Sequence, residues 1–168
     1  KSPHPELVDL EKRLEEAKAR ASEISRGKQA CYKVYPTAVS AIENRKRGIS
    51  QDKLLAVLPS RFELENYPAS RDAEKRLGLA MLDIAEQVYN YTNLDPQAYS
   101  AFSAELCQRK LFNLEVPSSF ESAYPQLLEC NSLPQPKQRI NCGMAVAGSK
   151  IEKPNNSSKR DAVTGAPS

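Results

Sequence analysis

The 168-residue sequence has no tryptophan, one histidine and only six glycines. No apolar run approaches the roughly 18 residues that a membrane-spanning helix requires. With so few glycines, the sequence contains neither a phosphate-binding glycine-rich loop nor a dinucleotide-binding fingerprint. The one histidine, His4, lies between prolines near the start of the chain, so we do not expect a histidine-assisted Ser or Cys nucleophile.

Neither sign of charge is in large excess, because the sequence has 24 Lys+Arg and 21 Asp+Glu and a formal net charge of +3. The basic clusters at 45–47, 137–139 and 159–160 are short and separated by acidic residues. Aromatic residues that could stack on bases do not alternate with them. We therefore expect no nucleic-acid partner.

No residue pattern indicates an enzyme. Ser50 and Lys53 have the spacing of a Ser-Lys dyad, but a serine before a short helix is more simply a helix cap. Neighbouring carboxylates such as Glu15 and Glu16 lie in polar surroundings that are typical of solvated surface charges. We predict a non-catalytic protein with no cofactor and no metal site.

Four cysteines are present: Cys31, Cys107, Cys130 and Cys142. Their number is even and none forms a Cys-x-x-Cys pair, which favours disulfides over a zinc or thioredoxin-like centre. Four cysteines allow three pairings, and the sequence alone leaves all three open. We favour Cys31 with Cys107, which brackets a helical unit, and Cys130 with Cys142, which closes a short proline-rich loop.

The cysteines also indicate the compartment, because disulfides persist where conditions are oxidising. We therefore expect a periplasmic or secreted protein. The sequence begins at Lys1 without a signal peptide, so we expect that a signal peptide was removed or that the sequence is a fragment.

Residues 1–27 are predicted to contain a long amphipathic helix from Pro5 to Arg26. Six apolar residues recur with 3-4 spacing and form a heptad stripe: Leu7, Leu10, Leu14, Ala17, Ala21 and Ile24. The heptad stripe either packs on the rest of its own domain, which is the simpler interpretation, or pairs with a partner or a second copy. In the second case Leu7, Leu10 and Leu14 are the candidate contacts.

The rest of the domain divides into a Cys-bracketed helical core at 28–110 and a helix with the cysteine loop at 111–150. Helices are predicted at 28–47, with a break near Pro36, and from Ser50 to Pro59, followed by an ordered loop at 60–69. Further helices are predicted at 71–91 after a Ser70 cap, from Asp95-Pro96 onward, and at 120–130 after Ser118 or Ser119. The helix at 71–91 is expected to be central, and Gly48 is expected to end the second helix.

No segment alternates apolar and polar residues over a useful length, and no βαβ rhythm or repeat is present. The predicted fold is all-α: a single domain at 1–150 that forms a small, disulfide-stapled helical bundle. Residues 151–168 are rich in Asn, Ser, Lys and Pro and are expected to form a disordered tail.

Five tyrosines are candidate contacts for a partner: Tyr32, Tyr35, Tyr89, Tyr91 and Tyr99. Tyrosine combines a large contact area with a hydrogen-bonding tip. The simpler interpretation is that these rings close the ends of the bundle beside a Cys31–Cys107 bridge. If they are exposed together, they mark a binding surface.

The segment from the first to the second cysteine contains residues in a recognisable order: Cys31, Arg45 with Gly48, Val88 with Tyr89, Pro96, Tyr99, Phe102 and Cys107. In this order the segment resembles small proteobacterial periplasmic all-helical proteins of unknown function, in which a Cys-led helix ends in an Arg-x-x-Gly turn. The resemblance covers residues 31–107. It implies an exported helical bundle with Cys31 joined to Cys107, and it implies no mechanism.

The heptad helix in front of this segment and the second cysteine loop behind it depart from that pattern. We predict a non-catalytic exported bacterial protein that binds a protein partner in the periplasm, as an inhibitor, an immunity-type protein or an accessory subunit. The alternative is a structural or assembly component of the envelope that oligomerises through its N-terminal helix.

Overall fold

The structure is a computed structural model that describes residues 4–149. Eight α-helices and one 3₁₀ turn account for the ordered elements of this range: α1 Pro5–Tyr32, α2 Val34–Lys46, α3 Gln51–Ala56, α4 Arg61–Glu65, the 3₁₀ turn Ala69–Arg71, α5 Asp72–Asn90, α6 Pro96–Leu111, α7 Phe120–Cys130 and α8 Pro136–Gly148. The all-α prediction is confirmed, and the predicted tail at 151–168 lies outside the described residues. None of the helices within 4–149 is long and apolar enough to cross a membrane.

Helix α6 lies at the centre of the bundle, where it packs on α8 and α2 and also contacts α1. Its buried residues are mostly small and occur all around the helix: Ala98, Tyr99, Ser100, Ala101, Phe102, Ser103 and Cys107. A helix without a polar face must be covered on several sides. The expectation that the helix at 71–91 would be central is therefore wrong, because α5 keeps one exposed side.

Helix α8 is packed most closely on α6, and the sequence analysis did not predict it. A Cβ atom at Gly143 would stand 2.0 Å from the backbone oxygen of Ala98, so only glycine allows the two backbones to meet there. The predicted loop between Cys130 and Cys142 is helical in its second part, because residues 136–141 form the first half of α8. Pro136 occupies the first turn of α8, and Gln135 caps it together with Gln138.

Both favoured disulfides are present. Cys31 joins the end of α1 to α6 with a Cα–Cα distance of 5.5 Å, and Cys130 joins α7 to α8 at 5.7 Å. The 76-residue separation of the first pair gives a stabilisation of about 4 kcal/mol in the chain-entropy model, and the 12-residue separation of the second gives about 3 kcal/mol.

Helix α1 continues beyond the predicted end at Gly27 and stops at Tyr32. The glycine serves packing rather than termination, because a Cβ atom there would stand 2.7 Å from a methyl carbon of Leu111 on α6 and would force that side chain to shift. The break before Pro36 is confirmed, since Lys33 separates α1 from α2.

The predicted caps were mostly found. Ser50, Asp95 and Ser119 each accept a hydrogen bond from the backbone three residues on, and Gly48 follows α2 with a left-handed φ of 82°. Ser70 is not a cap, because it lies inside the 3₁₀ turn before α5. The predicted loop at 60–69 contains the short helix α4.

The close crossing of α6 and α8 can be tested with one substitution at two glycines of the same helix. We expect Gly143→Ala to lower the free energy of unfolding by about 2 kcal/mol, because the new methyl group meets backbone that cannot move aside. Gly148→Ala is the matched control, since its methyl group would meet only the flexible end of Arg109. Urea denaturation followed by circular dichroism measures both. Equal stability of Gly143→Ala and the wild type would contradict the crossing.

Candidate protein-binding surface

The first part of α1 does not pack on its own domain. Leu7, Leu10 and Leu14 of the heptad stripe are 56%, 58% and 54% exposed, and every residue from 4 to 26 is exposed. Burial of α1 begins only at Gly27. The simpler interpretation of the stripe, as a contact within the domain, is therefore wrong.

Residues 5–26, hereafter the α1 arm, extend from the bundle as a single helix about 33 Å long at the usual rise per residue. Ion pairs within the helix support it, with Arg13 to Asp9 at 3.1 Å and Lys18 to Glu15 at 3.7 Å. Both pairs are exposed, so each contributes only a few tenths of a kcal/mol. The arm thus presents an aligned row of apolar side chains to solvent.

Such a row differs from scattered exposed leucines, which are ordinary on protein surfaces. The three leucines are one helical turn apart and form a contiguous apolar strip flanked by charges, and patches of this kind mark sites of interaction. Ile24 extends the strip towards the bundle and is 39% exposed. Among the described residues, the α1 arm is the element best suited to bind another protein.

The candidate tyrosines do not form one exposed surface. Tyr99 is buried, and its hydroxyl donates to Oε1 of Gln87 at 2.8 Å. Burial also raises the pKa of Tyr99. Tyr99 is therefore part of the core and cannot contact a partner.

Two further candidates close the turn between α5 and α6. The ring of Tyr91 lies 4.7 Å from the rings of Phe120 and Tyr124, and the Tyr89 hydroxyl donates to the backbone oxygen of Ile49. Both tyrosines are half-buried. This agrees with the simpler interpretation in that the rings close an end of the bundle, but they lie near the start of α6, two turns away from Cys107 and its bridge to Cys31.

The remaining two candidates lie near the junction of α1 and α2. Tyr35 is half-buried, and burial raises its pKa, with a smaller contribution from Asp95. Tyr32 is 69% exposed and directly follows Cys31. Only Tyr32 is therefore available to a partner without rearrangement, and a single ring does not make a binding surface.

A groove of about 290 Å³ between α5 and α6 was not predicted, because the sequence pattern of each helix does not show how the two helices face each other. It is lined by both apolar and charged side chains, among them Asp72, Arg76, Ile84, Asp83, Leu106 and Lys110. Asp72 pairs with Arg76 at 3.2 Å, and Asp83 pairs with Arg61 at 3.0 Å. Because the groove carries charges of both signs, and two of its carboxylates are already paired, it does not select one class of ligand.

Residues 4–149 contain no group of His, Cys, Asp and Glu side chains that could hold a metal ion. Comparison of the chain with protein-family models, with curated proteins and with solved structures found no match.

The burial of Tyr99 predicts a specific pH dependence of stability. The unfolded tyrosine loses its proton near pH 10, whereas the folded one keeps it, so stability is complete below about pH 10 and falls by up to about 1.4 kcal/mol per pH unit above it. We expect Tyr99→Phe to lose this part of the slope in urea denaturation at alkaline pH.

Tyr32→Phe is the control for this experiment, because the Tyr32 side chain is 69% exposed and lies outside the core. Below pH 10, Tyr99→Phe is expected to cost about 1 kcal/mol through the lost hydrogen bond to Gln87. An unchanged alkaline slope in Tyr99→Phe would show that the hydroxyl is accessible to water in the folded protein.

Proposed function

We propose that this chain is a non-catalytic protein of the bacterial periplasm, or a secreted one, and that it acts by binding another protein through the heptad stripe of the α1 arm. The single observation that carries the proposal is the exposure of the stripe. Its leucines recur at helical spacing along a segment that its own bundle leaves uncovered.

The physical basis is the burial of apolar surface. A helix with apolar residues at i, i+3 and i+7 binds either a groove or a second helix, and the apolar area removed from water provides the driving force. The charged faces beside the stripe keep the free protein in solution and favour partners with complementary charges. The arm is already helical, which reduces the entropy lost on binding.

The proposed function can take two forms. In the first, the partner is a different protein, and the chain acts as an inhibitor, an immunity-type protein or an accessory subunit. In the second, the chain is an assembly component of the envelope that oligomerises through α1. The heptad spacing of the stripe supports the second form, because that spacing keeps the apolar seam towards a paired helix.

A photocrosslinking residue tests whether the stripe contacts protein in the cell. Ala17 lies on the stripe and Ala19 on the opposite face, and both are exposed alanines of the same helix. We expect a photoreactive amino acid at position 17 to give crosslinks to a protein chain, and the same amino acid at position 19 to give few. Mass spectrometry then identifies the crosslinked chain as another protein or a second copy. Equally low yields at both positions would contradict the proposal.

The proposed compartment has its own test, because the two disulfides require oxidising conditions to persist. We expect the protein from its native cells, denatured in the presence of an alkylating reagent without reductant, to show no alkylated cysteine by intact mass. After reduction, all four cysteines should react. Four alkylated cysteines without reductant would remove the basis for export.

A further inference from the structure

We infer that the occupant of the heptad stripe is the same stripe of a second copy, packed in the antiparallel direction. The inference rests on the proposed function and specifies its partner. Three features of the α1 arm support it: the sizes of the stripe residues, the length of the arm and the order of its flanking charges.

The sizes of the stripe residues favour an antiparallel pair. The stripe has three leucines in its first half, whereas its second half consists of Ala17, Ala21 and Ile24. Antiparallel pairing centred between Leu14 and Ala17 gives these layers, each occurring twice: Leu7 with Ile24, Leu10 with Ala21, and Leu14 with Ala17. In two of the three layers a large side chain faces a small one, as a core of constant width requires.

The parallel, in-register alternative places leucine on leucine in three adjacent layers and alanine on alanine in the next two, before Ile24 meets Ile24. The two alanine layers bury little surface, so that half of the seam contributes less. The antiparallel pair distributes the leucines over the whole length.

The length of the arm matches the same register. Antiparallel pairing with these layers sets Pro5 of one helix beside Arg26 of the other. Pro5 is the first residue of α1, and Arg26 is the last exposed residue before burial begins at Gly27. The whole exposed arm is therefore used, and the two bundles lie at opposite ends of the pair.

The flanking charges oppose the parallel arrangement. Each heptad contributes two residues to the stripe, for example Leu7 and Leu10. In a parallel pair, the residue just before the first of these faces the residue just after the second on the partner helix. Glu6 then faces Glu11 of the second copy, and Arg13 faces Lys18. Each contact occurs twice by symmetry, so all four pairs are between like charges.

In the antiparallel pair, residues that follow the second stripe residue of a heptad face one another, and residues that precede the first stripe residue face one another. Glu11 lies opposite Lys18 of the second copy, twice, and both contacts are attractive. On the other flank Arg13 approaches Arg20, also twice, which is unfavourable. The antiparallel pair thus has two attractive and two repulsive contacts, against four repulsive contacts in the parallel pair. The charge order therefore favours the antiparallel direction, and it predicts that changes at these positions have opposite effects in the two arrangements.

The first experiment measures whether the full chain dimerises. Sedimentation equilibrium up to about 0.5 mM detects a dimer whose Kd is near 0.1 mM. We expect a monomer–dimer equilibrium that Ala17→Asp abolishes and Ala19→Asp leaves unchanged. The two substitutions have the same helix propensity, and neither residue is buried in the monomer, so a difference between them reports on the pairing face.

The second experiment determines the direction at low salt, where exposed charges are least screened. In the antiparallel pair, Glu11→Lys and Lys18→Glu should each weaken dimerisation about tenfold, and the double exchange should restore it. Arg20→Glu should strengthen it by removing the Arg13 repulsion. In a parallel pair, both single exchanges at 11 and 18 would instead strengthen dimerisation, which would overturn the inference.

Failure of the inference is distinguishable from failure of the proposed function. A wild-type chain that stays monomeric at 0.5 mM would overturn the second copy as occupant. Crosslinks from position 17 to a different protein would do the same, and they would leave the stripe as a binding surface. Dimerisation that Ala17→Asp and Ala19→Asp reduce equally would overturn the inference, because it would place the contact elsewhere.

Discussion

The Cys31–Cys107 bridge is the constraint on which the arrangement of the arm depends. It joins the last turn of α1 to the central helix α6 within the buried core, and burial of α1 begins just one turn earlier, at Gly27. Only Gly27, Ala30 and Cys31 of the 28 residues of α1 are buried. Without a covalent bond, these three small residues would hold the long exposed helix only weakly, because they bury little apolar surface. The bridge thus lets one end of a mostly exposed helix be fixed to the bundle.

The opposite end of the bundle is closed by aromatic rings and by a guanidinium group. Tyr91 and Phe120 pack edge to face, and Arg45 of α2 donates to the carbonyl of Tyr91 at 3.0 Å and to that of Val88. These carbonyls lie at the C-terminal end of α5, where a cation is stabilised by the helix dipole. The rings and the basic residue that could have served a partner are therefore engaged inside the molecule. Large apolar side chains such as Val57 and Phe62 are also exposed on the described bundle, but the α1 arm is where such side chains recur at helical spacing.

The elements that could be predicted from the sequence are those decided by local chemistry. Asp95-Pro96 starts a helix because the carboxylate accepts from a free backbone N–H and proline already has the required φ, and Gly48 ends one because it adopts a positive φ. The elements that were missed depend on a distant part of the chain. Gly27 and Gly143 look like helix breakers in isolation, but each makes room for another helix, and nothing near them in the sequence identifies Leu111 or Ala98 as the neighbour. The heptad stripe was found from its spacing, whereas its exposure depends on how the bundle is arranged and could not be read from the pattern.

The gradient of residue size along the stripe argues against a contact within one molecule. If the arm folded back on its own bundle, large residues would be most useful near the base, where the core is close, and small ones near the tip. In the chain the leucines at 7, 10 and 14 lie far from the bundle, and the alanines at 17 and 21 separate them from Ile24, the one large stripe residue close to it. The two alanines permit close approach of another helix, and the leucines need a surface that the monomer does not provide there. An antiparallel second copy meets both requirements, because the free N-terminal end of each arm lies beside the end of the other arm that joins the bundle.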